Sequence, residues 1–285
     1  MILSPDAQQS SNRRCMTTTL KDEVRDFWDA ASCGEVYAQG DTLQQQYEAQ
    51  ARSRYELEPY IAEFARFASG AGKDVLEVGV GMGADHVEWA KSRPRTLNGV
   101  DLTPRAIEHT RTRLGFLGLQ SNLRVGDAER LPFETDSFDI VYSWGVIHHS
   151  PDTPKAFAEV HRVLRPGGTA RIMIYHRRSI MSVMLWLRYA LLAGKPWRTF
   201  TDVLAHHLES PGTKAYTVAE TREMTRAFSS AEIRPYLSFG DLLQGEVGQR
   251  HRGPLLRIAK ALWPRPLVRA TMGRFGMQLF ITAVK

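Results

Sequence analysis

Three short segments of this 285-residue chain set chemically active residues where apolar runs give way to polar ones. The first is Glu77-Val-Gly79-Val-Gly81-Met-Gly83, at the exit of the run that begins at Val75. Alternating glycines permit a tight turn and let a ligand lie against bare backbone, while the amides of a following helix favour polar or anionic groups. The spacing is GxGxG followed by Ala84 and Asp85, which departs from the GxGxxG dinucleotide fingerprint, and no Gly-Lys-Ser/Thr of a phosphate loop occurs. The second segment ends in Asp101, 18 positions after Gly83, where a carboxylate can accept both hydroxyls of a ribose. The third, Gly126-Asp127-Ala128, offers a carboxylate to the exocyclic amine of an adenine. A single acid at a strand end is ordinarily just solvated, but acids at successive strand ends face one crevice. Together they describe a nucleoside pocket.

The surrounding pattern supplies elements to hold these segments at one rim. Between Asp74 and Tyr175 short apolar runs alternate with helical ones, the mark of a parallel sheet wound by crossover helices. The runs predict strands at Val75–Val78, Leu97–Leu102, Asn122–Val125, Phe138–Ser143 and Thr169–Tyr175. Thr103-Pro104 and Ser150-Pro151 each put a capping hydroxyl before a proline suited to the first helical position. Pro166-Gly167-Gly168 closes the helix that carries Ala156, Val160 and Leu164. Ahead of the first strand lie helical patterns through Val24, Phe27 and Trp28, then through Tyr55, Ile61, Phe64 and Phe67. After Tyr175 come an apolar helix over Ile180–Ala193, a helix capped by Thr217 and Glu220, and strands at Ile233–Phe239 and Met277–Val284. The expected organisation is a flexible leader at 1–19, a helical cap at 20–70, a Rossmann-like core at 71–175 and a helical lid at 176–231. The last two strands occupy 232–285, with a Gly-, Pro- and Arg-rich insertion at 241–276 that carries a short helical pattern, Leu255 to Trp263.

Composition narrows the setting. The chain is 43% hydrophobic and 24% charged, ordinary for a globular protein, and its longest apolar run, Ile180–Ala193, is interrupted by Arg188 and too short for a membrane span. Cys15 and Cys33 make neither a zinc cluster nor a disulfide framework, and no charged-apolar-small leader opens the sequence, so a reducing cytoplasm is the expected compartment. The net charge of +6 is uneven: 20 Lys and Arg against 24 Asp and Glu precede Tyr175, and 17 against 7 follow it. A basic C-terminal third suits nucleic acid, anionic lipid or an acidic small substrate.

Taken in order, the glycine turn, Asp101, Asp127-Ala128 with Leu131-Pro132-Phe133, and Leu164-Arg165-Pro166-Gly167-Gly168 resemble the motifs of class I S-adenosylmethionine-dependent methyltransferases. The likeness is to the small-molecule subgroup that includes ubiquinone and menaquinone methyltransferases, and it spans about Val75 to Tyr175. The resemblance implies a seven-stranded, mostly parallel α/β sheet with helices on both faces and an antiparallel last strand. It also implies that Glu77 and the Gly79-Val80-Gly81-Met82-Gly83 backbone hold the amino acid part of S-adenosylmethionine, Asp101 the ribose, and Asp127 and Ala128 the adenine, with Leu102 beside the ring. The backbone of Ser143, Trp144 and Gly145 would run beside the sulfonium, with Trp144 either facing that cation or packing at the strand end.

Methyl transfer to oxygen or nitrogen is an in-line displacement, so the protein must position, exclude water and often remove one proton. His148 and His149, directly after the fourth strand, are the candidate bases; the alternative is that they only shape the loop. Asp152 either orients one of them or favours the helix N-terminus. His206 and His207 lack ligand-spaced partners and no Asp-Asp-Asn pattern follows the fourth strand, so no metal is expected. The acceptor is expected between Trp28, Tyr37, Tyr47, Arg54 and Tyr55 on one side and a lid containing Met181, Met184 and Trp186 on the other, unless these side chains simply pack on the protein. The expected reaction is O- or C-methylation of a small, largely apolar, acidic or lipid-like acceptor such as a quinone precursor, polyketide or isoprenoid. An RNA methyltransferase using the basic third and a non-catalytic cofactor-binding regulator stand as alternatives. Ser143-Trp144-Gly145-Val146, where base-modifying relatives carry Asn/Asp-Pro-Pro-Tyr/Phe, speaks against nucleic acid. Peripheral contact with an anionic membrane is expected of Ile180–Arg198 or Arg250–Arg274, and the oligomeric state stays open.

Overall fold

Strands buried on both faces need apolar side chains whichever way they point. β1 (Asp74–Val78) is buried at all 5 of its positions. It is an interior strand of a sheet with β2 (Thr96–Asp101), β3 (Asn122–Val125), β4 (Phe138–Trp144), β5 (Leu164–Tyr175), β6 (Ser230–Tyr236) and β7 (Gln278–Val284). The order is β3-β2-β1-β4-β5-β7-β6, and β7 runs antiparallel to both of its neighbours, as expected of this fold. The computed structural model describes residues 20–244 and 260–285. The leader with Cys15, and Leu255 to Ala259 of the insertion, lie outside the described residues.

Alternation along the strands feeds two cores. Leu76, Val141 and Ile172 face α6 (Thr153–Val163) through Phe157 and Val160. Val75, Ile140 and Tyr142 face the other way, toward Trp89 of α4 (Ala84–Lys91), Leu114 of α5 (Pro104–Phe116) and Ile61 of α3 (Ile61–Ala65). The winding reverses between β1 and β4, which opens a crevice beyond their carboxyl ends.

The N-terminal cap is helical over 20–30 (α1) and over α2 (Leu43–Leu57), which Thr42 and Gln45 close with a capping box. The pattern through Tyr55 and Phe67 is not one helix: Pro59 disfavours helical geometry at Glu58, and α3 restarts at Ile61. The lid consists of α7 (Ile180–Trp186), continued by a π-helical turn over Leu187–Leu191, then α8 (Phe200–His207) and α9 (Val218–Met224). Most of its large side chains pack on one another, with Leu185, Ala190, Val203 and Leu204 in a third core. α10 (Arg265–Thr271) leans on α7 through Val268 and Ile180.

Three local expectations shift. α6 stops at Val163 and β5 begins at Leu164, so Leu164 and Pro166-Gly167-Gly168, expected to end the helix, run in the strand. Asp152, not Ser150, caps α6 by accepting from the Lys155 amide, while the Ser150 hydroxyl donates to Glu129 at 2.7 Å. β6 ends at Tyr236 rather than Phe239 because Asp241 accepts from the amide and hydroxyl of Ser238, both at 2.8 Å, and turns the chain. Among the described residues no helix is long and apolar enough to cross a membrane.

Candidate functional site

Beyond the carboxyl ends of β1, β2 and β4 lies a cavity of about 610 Å³, roofed by α1 and the lid. The glycine turn forms its floor. Gly79 has φ +87°, and a Cβ there would stand 2.1 Å from the Val146 side chain, so only glycine fits. Gly83, at φ +77°, opens α4 with its Cβ position against the backbone of Thr110 at 3.0 Å. Asp101 at the tip of β2 is held by three donors: the Gly81 amide at 3.1 Å, and the Thr103 amide and hydroxyl at 3.0 Å. Burial pushes its carboxyl above the ordinary range despite those bonds.

Glu77 meets the cavity with one edge and buries the other against His86, Oε2 to Nδ1 2.8 Å. The far nitrogen of His86 meets the Ser121 hydroxyl at 2.8 Å, and that hydroxyl donates to the Leu97 carbonyl. Ser121 has one proton and has spent it, so Nε2 of His86 donates and Nδ1 accepts. The Glu77–His86 proton therefore belongs to the carboxyl. Burial drives both groups the same way: Glu77 well above the carboxylate range and His86 down to about 3.

Along the cavity from the glycine turn, Asp127 accepts from the Glu129 amide at 2.9 Å and pairs with Lys21 of α1 at 2.6 Å. Lys21 also reaches Glu129 at 2.7 Å, so two charge-assisted contacts fasten the N-terminal helix over the pocket. Asp85, one residue into α4, is a second fastening. Its carboxylate takes two bonds from Arg54 of α2 (2.8 and 2.6 Å), one from Tyr55 (3.0 Å) and one from Tyr142 (2.7 Å). Burial raises Asp85, but the charge and hydrogen bonds of Arg54 outweigh it and leave the group below its ordinary value.

The opposite end of the cavity is apolar, with Leu57, Met173, Met181, Leu208, Phe239 and Met277, and holds one polar island. There Glu209 accepts from the Tyr175 hydroxyl at 2.8 Å and lies 3.5 Å from Nε2 of His149. Nδ1 of His149 meets the hydroxyls of Ser210 (2.8 Å) and Thr213 (3.2 Å). His148 is wholly buried behind it, its ring 4.2 Å from that of His149 and 4.1 Å from that of Tyr175. Burial, with the neighbouring charges of His149 and Lys214, keeps His148 neutral. Cys33, an exposed free cysteine, stands on the rim of the same cavity.

Of the expected cofactor residues, Glu77, Gly79, Val80, Gly81, Gly83, Asp101, Leu102, Asp127, Ala128, Trp144 and Gly145 all line this one cavity. Ser143 does not; its hydroxyl ties β4 to the Val78 carbonyl at 2.9 Å. Trp144 lines the cavity and also packs on Phe64 and Phe280. Trp28 and Tyr37 reach the cavity, and Trp28 sets its edge to His149 at 5.3 Å. Tyr47, Tyr55 and Trp186 are not brought there: Tyr47 bonds His109, Tyr55 bonds Asp85, and Trp186 donates to the Arg198 carbonyl. His149 lines the cavity and His148 does not. Asp152 is occupied as a helix cap and orients neither histidine. Sequence reasoning passed over Lys21, Asp85 and Glu209, whose partners lie far along the chain and leave no local spacing to read.

Residues 76–172 match a family described as a methyltransferase domain. A phthiotriol/phenolphthiotriol dimycocerosates methyltransferase of Mycobacterium leprae is 43% identical over 100 residues, 34% of this chain and 36% of its own. A fatty-acid O-methyltransferase of Mycolicibacterium smegmatis is 39% identical over 117 residues, 41% of this chain and 42% of its own. The chain thus spans under half the length of these curated relatives. Among solved structures, the methyltransferase bound to the Haloferax volcanii activator Trm112 superposes with a TM-score of 0.58 at 20% identity, over 92% of this chain and 96% of that one. An S-adenosylmethionine-dependent methyltransferase from Mesorhizobium loti gives 0.53 at 18%, over 79% and 98%. These two establish the fold. The matched segment, residues 76–172, carries the glycine turn, Asp101 and Asp127, so this third of the chain is similar to a methyltransferase domain set in that fold.

Proposed function

We propose that this protein transfers a methyl group from S-adenosylmethionine to a hydroxyl on a neutral, largely apolar, lipid-like molecule. The observation that carries the reading is the continuity of one cavity from Asp101 and Asp127 to the His149–Glu209 island. S-adenosylmethionine supplies a methyl group activated on sulfur. The chain's part is to hold it: the bare backbone at Gly79 to Gly83 and the donor-fixed carboxylate of Asp101 suit the amino acid and ribose parts, and Asp127 suits the adenine amine. Trp144, Met173 and the lid exclude water around the reacting atoms. His149 and Glu209, with His148 behind them, are the groups we assign to ionising the acceptor hydroxyl.

The charge balance favours a neutral acceptor over an acidic one. The lysine and arginine on the cavity wall, Lys21 and Arg54, are both committed to carboxylates, while Glu58 and Glu209 face the acceptor end. Relatives named for phthiotriol dimycocerosates and fatty acids support a lipid-like molecule. Incubation with methyl-labelled S-adenosylmethionine and matched long-chain alcohols, fatty acids and bulk RNA tests the reading. Label should enter the alcohols; label in RNA alone would replace this reading with the nucleic-acid one.

The lid also supports contact with an anionic membrane. Leu192 and Trp197 are 82% and 74% exposed, Leu262 and Leu267 are exposed on and before the helix that leans on α7, and no acid occurs in 177–201 or 260–285. Met181, on the same short helix as exposed Val183, lines the cavity, which suits an acceptor arriving from the bilayer. Sedimentation with phosphatidylglycerol vesicles but not phosphatidylcholine vesicles, lost in Trp197→Glu, is the expected outcome; no difference between the two lipids removes the proposal.

A further inference from the structure

The polar island at the acceptor end has unmet chemistry. A neutral imidazole carries one N–H and one lone pair, yet among the described residues neither ring nitrogen of His148 has a hydrogen-bond partner, and Nε2 of His149 has only the Glu209 carboxylate, at 3.5 Å. Both histidines are buried, His148 wholly so. A ligand atom from each of His148, His149 and Glu209 falls within 4.8 Å of the others. One pair, His149 Nε2 and Glu209 Oε2 at 3.5 Å, nearly matches the roughly 3.3 Å that separates two donors bound to one tetrahedral zinc-sized ion. The outer atoms are already oriented as ligands require. Ser210 and Thr213 hold Nδ1 of His149 and so leave Nε2 facing inward, and the Tyr175 hydroxyl holds the Glu209 carboxylate.

We propose that His148, His149 and Glu209 bind one divalent transition-metal ion of the zinc class, with a fourth position open to the acceptor end of the cavity. Two nitrogens and one oxygen suit that class rather than magnesium or calcium, which prefer oxygen throughout. The role of the ion rests on the acceptor reading above. An alcohol oxygen in the open position is polarised as bound water is, whose pKa falls from about 15.7 to about 7 on zinc. Its proton passes to solvent, the oxygen pair forms the new C–O bond, and the S–C pair stays on sulfur. This departs from the metal-free centre expected of the sequence, because Glu209 stands 60 positions from His149 and no ligand spacing announces it.

The test uses the whole chain, stripped with a chelator and titrated with Co²⁺, followed by visible absorption and by Zn²⁺ competition. The expected result is one ion per chain, with affinity falling about 100-fold or more in His149→Ala and Glu209→Gln and unchanged in His206→Ala, which alters a histidine of α8. Calorimetry with S-adenosylhomocysteine on the same variants shows that they remain folded. Failure to bind one Co²⁺ per chain, or equal affinity in both ligand variants, overturns the site. Binding without methylation of any alcohol would sink the acceptor reading and leave the site standing. Full methylation of alcohols by the stripped chain would overturn the ion's role in transfer.

Discussion

Replacing Arg54 by methionine keeps most of the side-chain volume and removes the charge that holds Asp85. Asp85 is 3% exposed, and after the change only the Tyr55 and Tyr142 hydroxyls still donate to its carboxylate. Breaking a buried ion pair from one side costs about 3–5 kcal/mol, and two surviving hydroxyl bonds offset part of that, so the expected loss is about 3 kcal/mol. The double variant Arg54→Met/Asp85→Leu removes the stranded charge and should recover about half of the loss, the Tyr hydroxyls then lacking their acceptor. The pH dependence follows from the same contacts. In the unaltered chain Asp85 sits below the ordinary carboxylate range, so its contribution is present above the unfolded value and is lost only as pH falls through the lowered folded one. Without Arg54, burial prevails and the carboxyl rises, so the variant is penalised as pH climbs above the unfolded value. Urea unfolding at about pH 5 and at about pH 8 should therefore show a smaller deficit at the lower pH. A deficit under about 1 kcal/mol, or one equal at both pH values, refutes the reasoning.

Other outcomes follow from the pocket. Asp101→Asn should weaken S-adenosylhomocysteine binding by about 10- to 100-fold by calorimetry, the scale of hydrogen bonds to a charged acceptor, while the fold persists. Gly79→Ala, whose Cβ strikes Val146 at 2.1 Å, should lower stability far more than Gly81→Ala, where nothing lies within 4 Å; thermal unfolding compares the two. Glu77→Gln places an amide N–H where the carboxyl proton stands, and because the folded Glu77 pKa is raised, the wild type loses stability as pH rises above the unfolded value. The variant's unfolding midpoint should therefore gain on the wild type between about pH 5 and pH 8.

The parallel sheet was legible because β1 and β4 carry apolar residues on both faces, and the glycine-turn end of the cavity because its residues belong to turns whose spacing is local. Thr103-Pro104 and the Thr217–Glu220 box declared their helices for the same reason. The acceptor end was not, since it is made by contacts distant in sequence: Glu209 against His149, and Cys33 on a wall shared with Met181 and Met277. Aromatic residues near the right place in sequence misled where a hydroxyl found another partner, as Tyr55 did in Asp85 and Tyr47 in His109. Charge was legible in amount but not in placement. The basic C-terminal third suggested an acidic acceptor, yet the cations on the cavity wall come from the N-terminal cap and are already paired.

The most direct measurement is diffraction from the chain crystallised with S-adenosylhomocysteine. The account predicts the ribose diol on the Asp101 carboxylate, the adenine amine at Asp127, and the sulfur beside Trp144 and Gly145 with its open side toward His149 and Glu209. Ligand bound elsewhere, or a sulfur walled off from His149 and Glu209, would contradict it.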